Sequence, residues 1–409
     1  MATRNEEVVS AGEGGTGDGQ VVEAGELDDP LLDYESEATP VLSVVMPTLN
    51  EEAGIAECIK RVKNALRELG IPGEVIVSDS STDRTPAIAD EMGAVVVEPD
   101  EPGYGYAYRY AFRYARGEYV AIGDADCTYD FEELPKLFDL VANGDADMAM
   151  GSRLEGEIKN GAMPPLHQYV GNPLLTKFLN VFYGAGVSDA HSGMRVLSQD
   201  ALDELDLRTT GMEFASEMIM EAGARDLVIE EVPITYHERE GEATLDSFED
   251  GWRHVKFMLQ NAPGYLFSVP GFAMGSLGLV LMSAAYFDIG AAGFIPGAHS
   301  LIAGSLLTLV GYQVASLGVF ATVAGDPIRA PEDNVTTWIS EHLRLEQGAT
   351  AGTAVFGVGT LYAVGLLGQW LSSSLSGLPF VMDAVIALTT IVLGVQIVFG
   401  SFFLSSIAE

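Results

Sequence analysis

Four long apolar segments in the C-terminal part of the chain are the strongest constraint on its fold. They occupy residues 265–287, 298–324, 351–371 and 379–404. A helix needs about 20 residues to cross a hydrocarbon core about 30 Å thick, and each segment is long enough. The sequence therefore predicts an all-α membrane domain of four transmembrane helices over residues 265–409.

The charge of the chain lies mostly outside these segments. The 409 residues include 59 acidic and 21 basic side chains, a net charge of -38, yet the mean hydropathy is +0.20. A strongly acidic soluble portion must therefore accompany the apolar one. The acidity argues against nucleic acid as a partner, because Lys and Arg bind phosphate backbones. It is typical of halophilic proteins, in which high ionic strength screens self-repulsion.

The N-terminal half alternates short apolar runs with amphipathic stretches. Strands are predicted at residues 41–46, 75–78, 94–97, 119–122 and 148–150, and helices near 52–69, 85–92 and 104–116. This alternation indicates a mostly parallel α/β sheet covered by helices. We expect an α/β catalytic domain over residues 39–246. Residues 1–38 are acidic and Gly-rich, so we expect a disordered tail there.

Three polar motifs follow predicted strands. They are Pro47-Thr48-Leu49-Asn50-Glu51-Glu52, Asp79-Ser80-Ser81-Thr82-Asp83 and Asp124-Ala125-Asp126. Ligands of open α/β sheets bind beyond the carboxyl ends of the strands, so the motifs should converge there. Residues i and i+2 of a strand face the same side, and paired carboxylates suit Mg²⁺ or Mn²⁺ holding a diphosphate. Taken alone, the Asp pair is more typical of a solvated turn than of a metal site.

These motifs resemble, in order and spacing, the nucleotide-sugar half of the GT-A fold glycosyltransferases of family 2. The resemblance continues through Gly151-Ser152-Arg153, Asp189-Ala190-His191-Ser192-Gly193-Met194-Arg195 and Glu231-Val232-Pro233-Ile234, and it covers about residues 41–260. Within the family, the chain looks most like the dolichyl and other polyprenyl phosphate mannose or glucose synthases. The resemblance implies a Rossmann-like mixed sheet. It also implies inverting transfer of a hexose from a nucleotide diphosphate sugar to dolichyl or polyprenyl phosphate, for protein or surface glycosylation.

The resemblance also implies roles on the donor side. Pro47, Leu49 and Glu51 would border the nucleotide, and Asp79 would bind the base or ribose. The loop Asp124-Ala125-Asp126 would hold the donor, with Asp124 on the nucleoside side and Asp126 as the principal metal ligand. The Mg²⁺ or Mn²⁺ ion would stabilise the departing diphosphate without a proton donor. For Glu51 an alternative remains, an acid stabilised by a helix dipole.

No convincing general base stands out on the acceptor side. A phosphate monoester, with a second pKa of about 6, is already largely ionised and can attack the anomeric carbon directly. Such a site needs cations, and Arg153 and Arg195 within the family motifs are the first choices. Arg239, His191 and Ser192 are further choices for the acceptor phosphate. Each arginine is also compatible with an ordinary surface ion pair.

Three positions depart from the family pattern. Ser78-Asp79 stands where many members have two acids, and Thr128 stands where mannose synthases commonly have Gln. Gly241-Glu242-Ala243-Thr244 replaces a Gly-Glu-Ser-Lys motif, which leaves Arg239 less supported. Thr128 mildly favours a glucose-type donor. It does not decide the donor, and UDP-glucose and GDP-mannose both remain open.

Two apolar stretches outside the spans suggest contact with lipid. In residues 247–264, Phe248, Trp252, Val255 and Leu259 share one helical face, and Arg253, His254 and Lys256 are close by. This pattern is typical of an interfacial amphipathic helix in the headgroup layer of the lipid bilayer, with the basic residues facing lipid phosphates, and an ordinary core-facing helix is equally compatible with it. Residues 166–183, interrupted by Pro173, could cover the sheet or enter the membrane.

The basic residues around the spans predict the topology. Connections 289–297 and 372–378 carry no Lys or Arg, whereas residues 325–350 hold Arg329 and Arg344. The positive-inside bias therefore predicts a multi-pass protein of the cell membrane, with its catalytic domain and C-terminus in the cytoplasm. The sequon Asn334-Val335-Thr336 would then remain unmodified.

Two other functions are weighed against lipid-phosphate sugar synthesis. A processive polysaccharide synthase typically carries Gln-x-x-Arg-Trp, whereas this chain has Trp252-Arg253 in the reverse order. A non-catalytic membrane scaffold would not need the metal carboxylates, and Asp124 and Asp126 are both present.

Overall fold

The computed structural model describes residues 29–241, 247–290, 295–324, 328, 345–373 and 381–408. The chain divides into two compact units. The first comprises Met1–Pro173, Val187–Ala215 and Leu227–Thr244, and the second comprises Leu174–Gly186, Ser216–Asp226 and Leu245–Glu409. The predicted positions Arg329, Arg344, Glu242 to Thr244 and the sequon at Asn334 lie outside the described residues.

A seven-stranded mixed sheet forms the centre of the first unit. Its strands are β1 (Leu42–Thr48), β2 (Gly73–Asp79), β3 (Val95–Val97), β4 (Tyr119–Ile122), β5 (Met148–Ile158), β6 (Arg195–Ser198) and β7 (Ile229–Tyr236). The spatial order is β3-β2-β1-β4-β6-β5-β7. Strand β1 pairs in parallel with β2 and β4, whereas β6 runs antiparallel to β4 and β5. The expected mixed α/β sheet is confirmed.

The described helices follow the strands in chain order. They are α1 (Ile55–Leu69), α2 (Thr85–Glu91), α3 (Tyr104–Ala111), α4 (Leu134–Ala142), α5 (Asn172–Tyr183), α6 (Gln199–Glu204), α7 (Phe214–Ala224), α8 (Ser247–Gln260), α9 (Val269–Tyr286), α10 (Ala298–Ala324), α11 (Leu345–Ser372) and α12 (Val381–Ala408). Helix α1 buries Ile55, Ile59, Val62 and Leu66 on one face and ends at Gly70, whose φ of 68° suits glycine.

Residues 29–38 differ from the expected tail. Leu32 is buried, and its N–H donates to the carbonyl of Gly73 at 2.8 Å. The Arg116 guanidinium donates to the carbonyls of Asp33, Tyr34 and Ser36. The predicted boundary at residue 38 is therefore too late, because one buried leucine and these backbone bonds attach the preceding segment to the sheet.

Four helices of the second unit are long and apolar enough to cross a membrane. They are Leu266–Tyr286, Ala298–Val323, Glu346–Ser372 and Val381–Ile407, close to the predicted spans. Glycines bring α9 and α10 close together: a Cβ added at Gly278 would lie 2.5 Å from the Gly304 oxygen, and one at Gly311 would lie 2.3 Å from the Gly275 nitrogen. Small residues at such contacts allow close packing of helices in lipid.

Helix α8 only partly matches the predicted interfacial helix. Trp252, Arg253 and Lys256 are exposed, as a lipid-facing surface requires. His254 is buried, and its Nδ1 lies 2.9 Å from the Ser216 hydroxyl. The expectation that His254 faces lipid phosphates is therefore wrong, because this side chain points into the second unit.

Candidate active site

The loops after β1 and β2 are joined by side-chain hydrogen bonds. Asp79 accepts from the Thr48 hydroxyl at 2.7 Å and from the Ser81 hydroxyl at 2.6 Å. Asn50 has a φ of 60°, a conformation that Asn tolerates, and its N–H donates to the Ser81 hydroxyl at 2.7 Å. Pro47 is half-buried and Leu49 is exposed at the end of β1. The predicted donor-binding residues of the two loops therefore share one edge of the sheet.

The Asp pair follows β4, at the same edge as these loops. Asp126 is buried, and its Oδ1 accepts from the Thr128 N–H at 3.0 Å and from the Thr128 hydroxyl. Such an Asx turn holds the carboxylate in one orientation. Asp124 accepts from the Tyr104 hydroxyl at 2.8 Å, and Ala125 between the two acids is buried.

Glu51 and Arg239 complete a charged cluster with Asp126. The Arg239 guanidinium donates to the Glu51 carboxylate, and its Nε lies 3.7 Å from Asp126 Oδ2. The Glu51 N–H donates to the Thr85 hydroxyl at 2.9 Å, which holds Glu51 beside the start of α2. Within the described part of the chain, Arg239 is the only cation at salt-bridge distance from Glu51, Asp124 or Asp126.

Burial disfavours the charged forms of two carboxylates in this cluster. Burial and the neighbouring Asp126 raise the pKa of Asp124 to about 6. Burial raises the pKa of Glu51 to about 7, against the opposing effect of Arg239 and with a further increase from Asp126 and Asp124. Carboxylates that resist ionisation in this way favour a bound cation, which would stabilise their charged forms.

The loop of residues 188–193 is fixed by a second set of buried groups. Arg153 donates Nε and Nη2 to Asp189 at 2.7 and 2.8 Å, in a fork that leaves both side chains buried. Glu231 accepts from the N–H groups of Ser188 and Asp189. The three residues thus determine where this loop begins.

Arg195 holds the end of the same loop. Its side chain is fully buried and donates to the carbonyls of Ser192 and Ala190, each at 3.0 Å. The Tyr129 hydroxyl accepts from the Gly193 N–H at 2.7 Å. A Cβ added at Gly193 would lie 3.1 Å from Asp124 Oδ2, so the loop passes directly beside the Asp pair.

The five residues expected at the acceptor phosphate therefore have different surroundings. Arg153, Arg195 and Ser192 are buried, whereas Arg239 and His191 are partly exposed. Ser192 Oγ makes no hydrogen bond within the described residues. The structure brings Arg239 to the Asp pair and Glu51, and it uses Arg153 and Arg195 to hold the neighbouring loop.

The sequence assigns no role to three residues of this region. The Tyr104 hydroxyl donates to Asp124, the Tyr129 hydroxyl accepts from the Gly193 N–H, and Glu231, which lies in a family motif, accepts from the first N–H groups of the loop. No local pattern marks the two tyrosines. Their partners lie 20 and 64 positions away along the chain, so only the folded structure reveals these contacts.

The sheet order and the carboxylates at its edge define a GT-A type sugar-transferring domain joined to membrane helices. Residues 43–206 match the family described as glycosyl transferase family 2, and residues 321–408 match the glycosyltransferase family 2 C-terminal transmembrane region. The chain belongs to glycosyltransferase family 2, and the protein is a membrane-bound glycosyltransferase.

Relatives with known names extend this comparison. The low-salt glycan biosynthesis hexosyltransferase Agl6 of Haloferax volcanii is 59% identical over 93% of this chain and 92% of its own length. A dolichyl-phosphate hexose transferase of the same organism is 37% identical over 51% of this chain and 89% of its own length.

A solved structure also resembles the chain. Glucosyl-3-phosphoglycerate synthase from Mycobacterium tuberculosis, in complex with Mn²⁺, UDP and its glucosylated product, is 26% identical, with a TM-score of 0.43 over 54% of this chain and 78% of that one. At this TM-score the likeness assigns neither a donor nor a metal.

Proposed function

We propose that this enzyme transfers a hexose from a nucleotide diphosphate sugar to dolichyl or polyprenyl phosphate, with inversion at the anomeric carbon. The observation that carries the proposal is the placement of Asp124 and Asp126 beyond β4, with Arg239 joining Asp126 to Glu51. The names of the two Haloferax relatives, a hexosyltransferase of glycan biosynthesis and a dolichyl-phosphate hexose transferase, support the acceptor and the role in glycosylation.

The donor side fits a divalent cation. Asp126 Oδ2 is the oxygen that its Asx turn leaves available, and burial raises the pKa values of the neighbouring Asp124 and Glu51. Asp126 would hold Mg²⁺ or Mn²⁺ with Asp124 beside it, and phosphate oxygens would supply further ligands. The ion would supply positive charge for the departing diphosphate.

The protein's own groups prepare the donor site. Thr128 orients Asp126, Tyr104 orients Asp124, and the joined loops of Asp79 and Pro47 border the nucleotide. The Thr128 hydroxyl therefore affects the donor site by positioning Asp126, to which it donates a hydrogen bond. A glucose-type donor such as UDP-glucose agrees with threonine at this position, and GDP-mannose is the alternative donor.

The acceptor side needs positive charge to hold a phosphate that attacks without a general base. We propose Arg239 and His191 as the groups that contact this phosphate, because both keep exposed surface. Arg153 and Arg195 would act by holding residues 188–193 in place, since their guanidinium groups are occupied by Asp189 and by backbone carbonyls. Ser192, on the same loop, would support the phosphate through its hydroxyl.

We also propose that the first unit and the C-terminus face the cytoplasm, where nucleotide sugars are available. The distribution of basic residues around the four candidate spans supports this orientation. The exposed Trp252, Arg253 and Lys256 of α8 suit the headgroup layer, consistent with an interfacial helix over residues 247–264. Cysteine labelling of the connection between α9 and α10 from outside intact cells would test it.

The test of function uses membranes that contain the full chain, dolichyl phosphate, Mn²⁺ and a panel of nucleotide sugars. Mass spectrometry should identify a hexosyl phosphodolichol. Asp126→Asn should abolish this product while membrane insertion is retained. Transfer to protein or glycan without any lipid product would reject the proposed acceptor.

A further inference from the structure

Arg239 lies where a positive charge is needed by the donor carboxylates. Its guanidinium bridges Glu51 and Asp126, two acids that enter the site from different strand ends. The bond to Glu51 is a close ion pair, whereas the 3.7 Å between Nε and Asp126 Oδ2 is too long for a hydrogen bond. Nε itself is buried and has no hydrogen-bond partner within the described residues. Arg239 is therefore held firmly by one carboxylate and loosely by the other.

The backbone around Arg239 keeps it in this position. Residues 237–241, here called the strap, follow β7 and lie against residues 126–128. The His237 N–H donates to the Thr128 carbonyl at 2.8 Å, and the Glu240 N–H donates to the Asp126 carbonyl at 3.0 Å. Two backbone bonds thus attach the strap to Asp126 and to Thr128, while the Arg239 side chain extends to the carboxylates of Glu51 and Asp126.

Arg239 and a divalent cation compete for the same oxygen of Asp126. Asp126 Oδ2 is the oxygen that faces Arg239, and it is also the oxygen that Thr128 leaves available for a cation. A guanidinium and a divalent ion at the same oxygen would repel each other strongly in a partly buried site. An ion bound to this oxygen would require the Arg239 side chain to turn away, and this side chain, 24% exposed, is accessible to solvent.

We propose that Arg239 is an internal counter-ion, which neutralises Glu51 and Asp126 in the empty site and is displaced by the divalent cation of the donor. This inference rests on the proposed function for the identity of that cation. The displaced guanidinium remains tethered by the strap within reach of the site, where it binds the acceptor phosphate. Binding of metal and donor would therefore prepare the cation that the acceptor needs, and the order of binding would be donor first.

The test measures the affinity for Mn²⁺ alone, without nucleotide or lipid acceptor. The full chain is purified in lipid nanodiscs at constant high KCl, and free Mn²⁺ is quantified by electron paramagnetic resonance. Arg239→Gln removes the competing charge, so Mn²⁺ should bind about tenfold more tightly, equivalent to about 1.4 kcal/mol. Arg239→Lys keeps the charge but cannot span both carboxylates, so its affinity should lie between those of wild type and Arg239→Gln.

The matched control is Arg67→Gln on the exposed surface at the end of α1. It changes the net charge by the same amount, and among the described residues the exposed wild-type Arg67 side chain donates its hydrogen bond to the nearby Asn64. Its Mn²⁺ affinity should equal that of wild type. Thermal unfolding of each variant checks that the site is intact. Where Arg239→Gln does not fold, the comparison of Arg239→Lys with wild type decides the question.

Two outcomes would overturn the inference. Mn²⁺ affinity that is unchanged or weaker in the Arg239 variants would show that Arg239 does not compete with the ion. Equal tightening in Arg67→Gln would assign the effect to net charge. The proposed function is tested independently, by the lipid product. If lipid transfer occurs and the Arg239 variants bind Mn²⁺ as wild type does, only the counter-ion role is rejected. If the Arg239 variants bind Mn²⁺ more tightly and no lipid transfer occurs, only the proposed acceptor is rejected.

A kinetic measurement extends the test to the second role of Arg239. Arg239→Gln should lower kcat and raise the KM for dolichyl phosphate, while the KM for the nucleotide sugar should not increase. If Arg239 had a merely structural role, the variant would instead raise the KM for both substrates together. If Arg239→Gln keeps the wild-type kcat and KM for dolichyl phosphate, the proposed movement of the Arg239 side chain to the acceptor phosphate is rejected.

Discussion

Replacing Asp189 with Asn should destabilise the loop beside the active site far more than loss of a surface ion pair would. Asp189 is fully buried and accepts three hydrogen bonds from Arg153, at 3.0 Å from the backbone N–H and at 2.7 and 2.8 Å from the guanidinium. Loss of the carboxylate charge leaves the Arg153 guanidinium buried without its counter-ion. Removing one partner of a buried pair costs about 3–5 kcal/mol, against about 0–1 kcal/mol at the surface.

A double-mutant cycle separates the pair from its surroundings. Arg153→Met should destabilise the loop by a similar amount, because it leaves Asp189 buried and charged. Combining Arg153→Met with Asp189→Asn removes both charges, so the double variant should be more stable than the sum of the two single effects predicts. The expected coupling is at least about 1.5 kcal/mol, within the range for residues in direct contact.

The assay is hydrogen exchange of the full chain, followed by mass spectrometry of peptides covering residues 188–198. Local opening free energies from the exchange rates report the stability of this region. Asp206→Asn is the control, because it removes the partner of Arg208 in an exposed pair. Equal effects of Asp189→Asn and Asp206→Asn, or strict additivity in the cycle, would refute the structural role of Arg153 and favour a direct role at the acceptor phosphate.

Three further changes should have different consequences. Gly193→Ala places a Cβ 3.1 Å from Asp124 Oδ2, so kcat should fall by about tenfold or more, equivalent to about 1.4 kcal/mol, with little loss of thermal stability. Thr128→Val removes the hydroxyl that orients Asp126, so the Mn²⁺ concentration for half-maximal activity should rise about tenfold, while kcat at saturating Mn²⁺ changes less. Gly311→Leu adds a side chain whose Cβ would lie 2.3 Å from the backbone nitrogen of Gly275 in α9, so the yield of folded protein in detergent should fall sharply.

One control variant serves all three changes, and each change has an outcome that would contradict its prediction. Gly365→Ala adds a methyl group to α11 where nothing lies within 4 Å, so activity and yield should both remain at wild-type values. Wild-type kcat in Gly193→Ala would mean that the loop is not fixed beside Asp124. If Thr128→Val leaves the Mn²⁺ requirement unchanged, the Thr128 hydroxyl does not orient Asp126 for the metal. A normal yield of Gly311→Leu would contradict the close packing of α9 and α10.

The sequence predicted those features that depend on local pattern. Apolar runs and their spacing located the parallel strands β1, β2 and β4, and parallel pairing brings the motifs after them to one edge. The spans were predictable for the same reason, since length and hydropathy define them. Asp124 and Asp126 were therefore identified with their positions in the sheet.

Contacts between distant segments were not predictable from the sequence. Strand β6 enters antiparallel between β4 and β5, and no residue pattern in its four positions specifies that pairing. The sequence shows the positive charges of Arg153 and Arg195, but their partners depend on how residues 188–193 return to the sheet. Arg239 lies 188 positions from Glu51, and only folding joins them.

The central claim is hexose transfer to a lipid phosphate at the metal site formed by Asp126. The most direct measurement adds dolichyl phosphate, Mn²⁺ and UDP-glucose or GDP-mannose to membranes with the wild-type or the Asp126→Asn chain, and then analyses the lipids by mass. We predict a hexosyl phosphodolichol with wild type that requires Mn²⁺ or Mg²⁺ and is absent with Asp126→Asn. Lipid product formed equally by both chains, or formed by neither with any nucleotide sugar, would contradict the account.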